Sequence, residues 1–105
     1  MGLELVRDNV ANVPWRDEDQ KRYLRPVVDF WEHRQLLVHK LLSEVGEFLA
    51  TANAKEILEE AADIYEVLMT FLNWHGLTRA DLDRVVTDKL VERGGFSKGL
   101  VYERS

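Results

Sequence analysis

The sequence has no cysteine, so disulfides, thiolate metal sites and cysteine nucleophiles are excluded. Proline is scarce: Pro14 and Pro26 both fall in the first 28 residues, and nothing beyond them breaks a helix covalently. Long apolar runs are missing too. None approaches the roughly 20 residues that span a bilayer, and the charged opening MGLELVRDNVANV lacks a signal-peptide core. A cytoplasmic chain without a membrane partner is expected. There is no excess of basic charge either; the net charge of -5 argues against a polymeric nucleic acid as partner. What remains is 46% hydrophobic and 31% charged residues over 105 positions, the composition of a single folded domain spanning residues 1–105. At that length its core is modest.

Helical signals begin at Asp29, a favourable N-cap with Glu32 three residues on as the second half of a capping box. From there to about Thr51, Phe30, Leu37, Val38, Leu41, Val45, Phe48 and Leu49 recur on one face. TANAK is a short connection. A second helix is predicted from about Lys55 to His75, with Ile57, Ala61, Ile64, Leu68, Phe71 and Leu72 as its stripe and Gly76 as its stop. Thr78 and Asp81 open a third, with Leu82, Val85, Val86 and Leu90 inward and Gly94 and Gly95 at its end. DNVANV suggests a helical turn, and the apolar GLVY tail is a candidate to pair with LELV as short strands. The chain reads as all-α: an antiparallel helical hairpin plus a third helix. Trp31, Leu42, Tyr65, Met69 and Trp74 flank the stripes, so oligomerisation completing a four-helix-type bundle is expected.

The acids of the hairpin are placed unusually. About a turn centred between Asn53 and Ala54, Glu47 mirrors Glu60 and Glu44 mirrors Asp63. On each helix the pair is spaced i, i+3, which puts both carboxylates on one side. At about 100° per residue, Glu60 is only about 40° from Ile64, and Glu44 about 60° from Leu41. One E-x-x-E or E-x-x-D is ordinarily a solvated face; two of them mirrored beside apolar stripes are not. Acids so close to a core and to each other repel or protonate, and a divalent cation removes the conflict. The all-oxygen donor set suits a hard ion, Mg²⁺ or Mn²⁺. A di-iron bundle needs Glu-x-x-His pairs, and none of His33, His39 or His75 follows a glutamate by three.

HKLLSEVGEFLA, ILEEAADIYEVL and DKLVERGGFSKGLVY resemble blocks of the all-α nucleotide pyrophosphohydrolase superfamily, the MazG-like proteins. With the opening LVRDNVANV, they look most like the short phosphoribosyl-ATP pyrophosphohydrolase-like branch. In that resemblance Glu44, Glu47, Glu60 and Asp63 are the metal motif, and KLVERGGF, Lys89 to Phe96, is a feature of the branch. Ser43 stands where relatives usually carry a further acid, and Ala11 where a proline is common. The resemblance implies a dimeric or tetrameric Mg²⁺-dependent enzyme that hydrolyses a nucleoside triphosphate to the monophosphate and pyrophosphate.

In such an enzyme Glu47 would orient the attacking water, and Lys40, on the same flank, would balance the acids or touch phosphate. Lys89, Arg93, Gly94, Gly95 and Lys98 form a candidate phosphate-binding end, where helix-terminal capping is the alternative reading. Arg7 and Asp8 are either a structural ion pair or substrate contacts, and Trp15, Trp31, Trp74 and Tyr102 either stack on a base or fill core and interface. Two other functions compete. A nucleotide-sensing or protein-binding regulator would keep the metal site without turnover, as Ser43 permits; a purely structural dimer would leave the acids unexplained. The phosphoribosyl-ATP pyrophosphohydrolase of histidine biosynthesis, which lacks the RGGF ending, ranks below the general nucleotide hydrolase.

Overall fold

Three short polar side chains start three helices in the computed structural model, which describes residues 3–9 and 24–104. The helices are α1 (Phe30–Leu49), α2 (Ala54–Trp74) and α3 (Arg79–Arg93). At α1 the Asp29 carboxylate accepts from the Glu32 N–H at 2.8 Å. The expected reciprocal bond from Glu32 is displaced by one residue: its carboxylate accepts from the Val28 N–H and from the forked guanidinium of Arg25. The same arrangement recurs at α2, where Asn53 accepts from the Glu56 N–H and Glu56 accepts from the Ala52 N–H. Only Thr78 and Asp81 at α3 close a true capping box.

Gly76 ends α2 in the left-handed region, at φ 74°. Its N–H donates to the Asn73 carbonyl and the Leu77 N–H to the Leu72 carbonyl, at 3.0 and 2.9 Å. These are the two bonds of a Schellman motif, and they need a residue that tolerates positive φ.

Packing is concentrated between α1 and α2. Phe30, at the start of α1, lies 5.8 Å from the Trp74 ring and 5.5 Å from His75, at the end of α2, so the two helices are antiparallel. Among the described residues Leu37 is the best-buried apolar side chain, 2% exposed, with Met69 the next apolar one at 8%. Met69 was expected on an outer flank; it is buried within the single chain instead. Val45, Leu49 and Ile57, read as stripe members, are exposed because the stripe narrows towards the turn.

The third helix departs most from expectation. It makes only minor contact with the hairpin, and Val85, Val86 and Leu90 are exposed rather than inward. No strand occurs among the described residues; Leu3–Val6 and Gly99–Tyr102 are irregular and do not pair. Asp8 and Asn9 have 3₁₀ geometry, whereas the rest of the N-terminal turn, Pro14 and Trp15 lie outside the described residues. No helix among the described residues is long and apolar enough to cross a membrane.

Leu37→Ala should lower unfolding free energy by about 2–5 kcal/mol, the range for truncating a buried leucine. Gly76→Ala should cost about 1 kcal/mol through its φ. Urea titrations with unchanged slopes would check both.

Candidate metal centre

Helix register brings three of the four mirrored acids together. Glu44 and Glu47 come from the last turns of α1 and Glu60 from the second turn of α2. Each offers one carboxylate oxygen, and these three atoms lie within 4.8 Å of one another. Glu44 is buried, 5% exposed; Glu60 is half-buried and Glu47 is open to solvent. The turn that sets this register is tied by the Asn53 and Glu56 bonds described above and by the Thr51 hydroxyl, which donates to the Phe48 carbonyl at 2.8 Å.

One oxygen on each of the two inner acids has no donor. Glu44 Oε2 and Glu60 Oε2 are sealed from solvent and unpartnered. The arrangement pushes the Glu60 carboxyl up from 4.5 to about 7. Chief among the causes is a hydrogen bond that the protonated group makes to Glu44, followed by desolvation and by the charges of Glu47, Glu44 and Asp63. A proton is one way to fill the gap between these oxygens. A hard divalent cation is another, and the donor set of three carboxylates, one orphaned and buried, fits such an ion.

Asp63, the fourth acid of the expected set, lies outside this cluster. It forms an ion pair with Arg7, 56 residues away in sequence. The guanidinium of Arg7 is held above its usual pKa by that hydrogen bond foremost, against a smaller desolvation effect, with the charges of Asp63, Glu66 and Glu44 also acting on it. Arg7, left open above between an ion pair and a substrate contact, is paired with Asp63, a partner that helical periodicity could not find. Lys40 is placed as its spacing implied. Its ammonium lies 3.5 Å from Glu44 Oε1 and 3.2 Å from Glu4 Oε1. Desolvation works to lower its pKa, but the Glu4 hydrogen bond and the charges of Glu4 and Glu44 raise it on balance.

A cavity of about 820 Å³ lies between residues 5–9 and the two long helices. Arg7, Lys40, Glu44 and Asp63 line it together with Thr70, His33 and Trp74. Along each helix the acids and the His33–Trp74 pair are eleven residues apart, about 16 Å at helical rise. The two rings pack edge to face at 4.3 Å, and His33 Nδ1 is buried without a partner. Burial lowers the His33 pKa, with Asp8 acting weakly in the other direction. Glu47 and Glu60 line a separate cleft of about 270 Å³ near the turn.

Lys89, Arg93, Gly94, Gly95 and Lys98 are exposed and line neither opening. Within one chain they form the end of α3, where Gly94, at φ 75°, donates its N–H to the Leu90 carbonyl. Trp31 and Tyr102 also lie away from the cavity, both largely exposed. No protein-family model, curated protein or solved structure matches this chain.

The raised Glu60 pKa fixes the sign of a pH effect. Between 4.5 and about 7 the folded chain binds the extra proton, so stability linked to Glu60 is full below 4.5 and is lost as pH rises through 7. His33, lowered by burial, works in the opposite direction. Without metal, Glu60→Gln should therefore melt several degrees above wild type at pH 8 and show little advantage at pH 4.5, the comparison cancelling His33. Mg²⁺ or Mn²⁺ should raise the wild-type melting temperature at pH 8 and act weakly on Glu60→Gln. Equal metal responses in the two proteins would remove Glu60 from the site.

Proposed function

We propose that this chain is a Mg²⁺-dependent nucleotide pyrophosphohydrolase that cleaves a nucleoside triphosphate to its monophosphate and pyrophosphate. The observation that carries this reading is the buried Glu44 with an oxygen lacking any donor, facing a site it shares with Glu47 and Glu60. A solvated helix face does not bury a carboxylate in this state. The MazG-like resemblance of the same residues supplies the reaction class, and the 820 Å³ cavity beside them is of nucleotide size.

In this proposal Glu44, Glu47 and Glu60 hold the ion, with Asp63 one turn beyond Glu60 as a further ligand. When bound, Mg²⁺ or Mn²⁺ supplies charge neutralisation on the triphosphate and activation of an attacking water. Glu47 is the solvated carboxylate of the three and so the one able to orient water and accept its proton. Lys40 orients the buried Glu44 through their 3.5 Å contact, which makes it a positioning residue. No side chain need act as nucleophile. A regulator that binds nucleotide without turnover is the second reading; Ser43, exposed beside Glu44 where relatives carry an acid, is the feature that favours it.

The unit of function is proposed to be a homodimer or homotetramer. Several large apolar side chains among the described residues are left open to solvent. Leu42, Leu58, Leu90 and Val91 are each more than half exposed, and a second copy would cover them.

Incubation with a panel of nucleoside triphosphates and Mg²⁺ should release pyrophosphate. Glu47→Gln should lower kcat by about 10²–10⁴, the usual worth of a general base, while Glu103→Gln leaves it unchanged. Saturable nucleotide binding with no pyrophosphate would favour the regulator. Sedimentation at micromolar concentration should show a dimer or larger; a clean monomer would refute the assembly.

A further inference from the structure

Among the described residues, the large cavity is lined by four acids, Asp8, Glu44, Asp63 and Glu66, and by two fixed cations, Arg7 and Lys40. A polyphosphate entering it needs a cationic partner from the chain as well as a bound ion. Lys40 is already committed, between Glu4 and the buried Glu44, and is only 24% exposed. The cations of α3 do not line the cavity.

Arg7 is differently placed. Its side chain is 62% exposed and its bond to Asp63 uses one amino nitrogen, Nη2. Residues 3–7 around it are in no helix, and among the described residues its neighbour Glu4 is tethered through Lys40. A part-exposed pair of this kind is weak and readily exchanged. The pairing also accounts for Asp63 standing apart from Glu60, one turn away on the same helix.

Resting on the metal site proposed above, we propose that Arg7 is a phosphate ligand of this cavity: it exchanges Asp63 for phosphate oxygens when a divalent cation occupies the acids. Asp63, released, then joins the other carboxylates. The planar guanidinium fork binds two phosphate oxygens at once, which an ammonium cannot reproduce. Arg7 thereby couples the two binding events. It competes with the ion for Asp63 while the cavity is empty and favours the ion once phosphate is present.

The test uses Mn²⁺ alone, followed by loss of its free-ion paramagnetic resonance signal, and tripolyphosphate supplied as its one-to-one Mn²⁺ complex, followed by titration calorimetry. Arg7→Gln should bind Mn²⁺ alone about two- to fivefold more tightly, the range of a part-exposed ion pair. It should bind the tripolyphosphate complex about tenfold or more weakly. Arg7→Lys keeps the charge opposite Asp63, so its Mn²⁺ affinity should stay near wild type while its tripolyphosphate affinity falls. If Arg7 only ties the segment down, Arg7→Gln will weaken both ligands together or neither, and either result overturns the proposal. Wild-type protein that fails to bind Mn²⁺ would overturn the metal reading and this one with it. Intact wild-type Mn²⁺ binding without the opposed changes in Arg7→Gln removes Arg7 alone.

Discussion

Two carboxylate oxygens, Glu44 Oε2 and Glu60 Oε2, are sealed between neighbouring helices with no donor for either, and much of this structure answers to that conflict. Burying a charge costs several kcal/mol unless a counter-charge or a proton compensates it. Hydrophobic packing a short distance away keeps the acids from swinging out. Leu37, which is buried, lies two turns from Glu44 on the same side of α1. The turn at Asn53 then fixes which levels of the two helices meet. Side-chain caps and a hydroxyl bond hold that turn, so the acids keep their spacing through local backbone chemistry.

The compensation within the chain comes from α1 itself and from the segment at residues 4–7. Lys40 reaches Glu44 along its own helix and Glu4 across the cavity; Arg7 reaches Asp63. Through these ion pairs residues 4–7 are held as a wall beside the acid site. Exposed pairs contribute little to stability, so the wall is held lightly. A light hold suits a wall that has to admit a charged ligand. The same contacts make the cavity, since Leu5, Val6 and Asn9 line it only while the segment lies against the helices.

What was legible in the sequence was what is local or periodic. Asp29, Thr78 and Gly76 mark helix ends through bonds made within a few residues, and the mirrored placement of Glu47 and Glu60 follows from helix pitch and a short turn. Met69 was missed because its neighbours Leu68 and Leu72 are equally apolar, and only the crossing of the two helices decides which of them faces inward. Arg7 was left undecided for a different reason: its partner is 56 residues away and nothing in the intervening pattern fixes the distance. That one contact also moved Asp63 out of the expected foursome. The strand pairing of LELV with GLVY failed because β-leaning composition supplies no register.

The third helix shows how the same economy limits a single chain. A 15-residue helix is marginal in water on its own, since its nucleation is costly and its capping box returns only about 1 kcal/mol. Arg93 in the last turn adds a smaller dipole contribution. Neither replaces burial, and α3 makes only minor contact with the hairpin while leaving Val85, Val86, Leu90 and Val91 exposed. Among the described residues nothing covers this apolar face of α3, and the proposed assembly would supply the burial it lacks, independently of any chemistry at the acids. The proposed assembly and the proposed metal site thus rest on separate physical grounds.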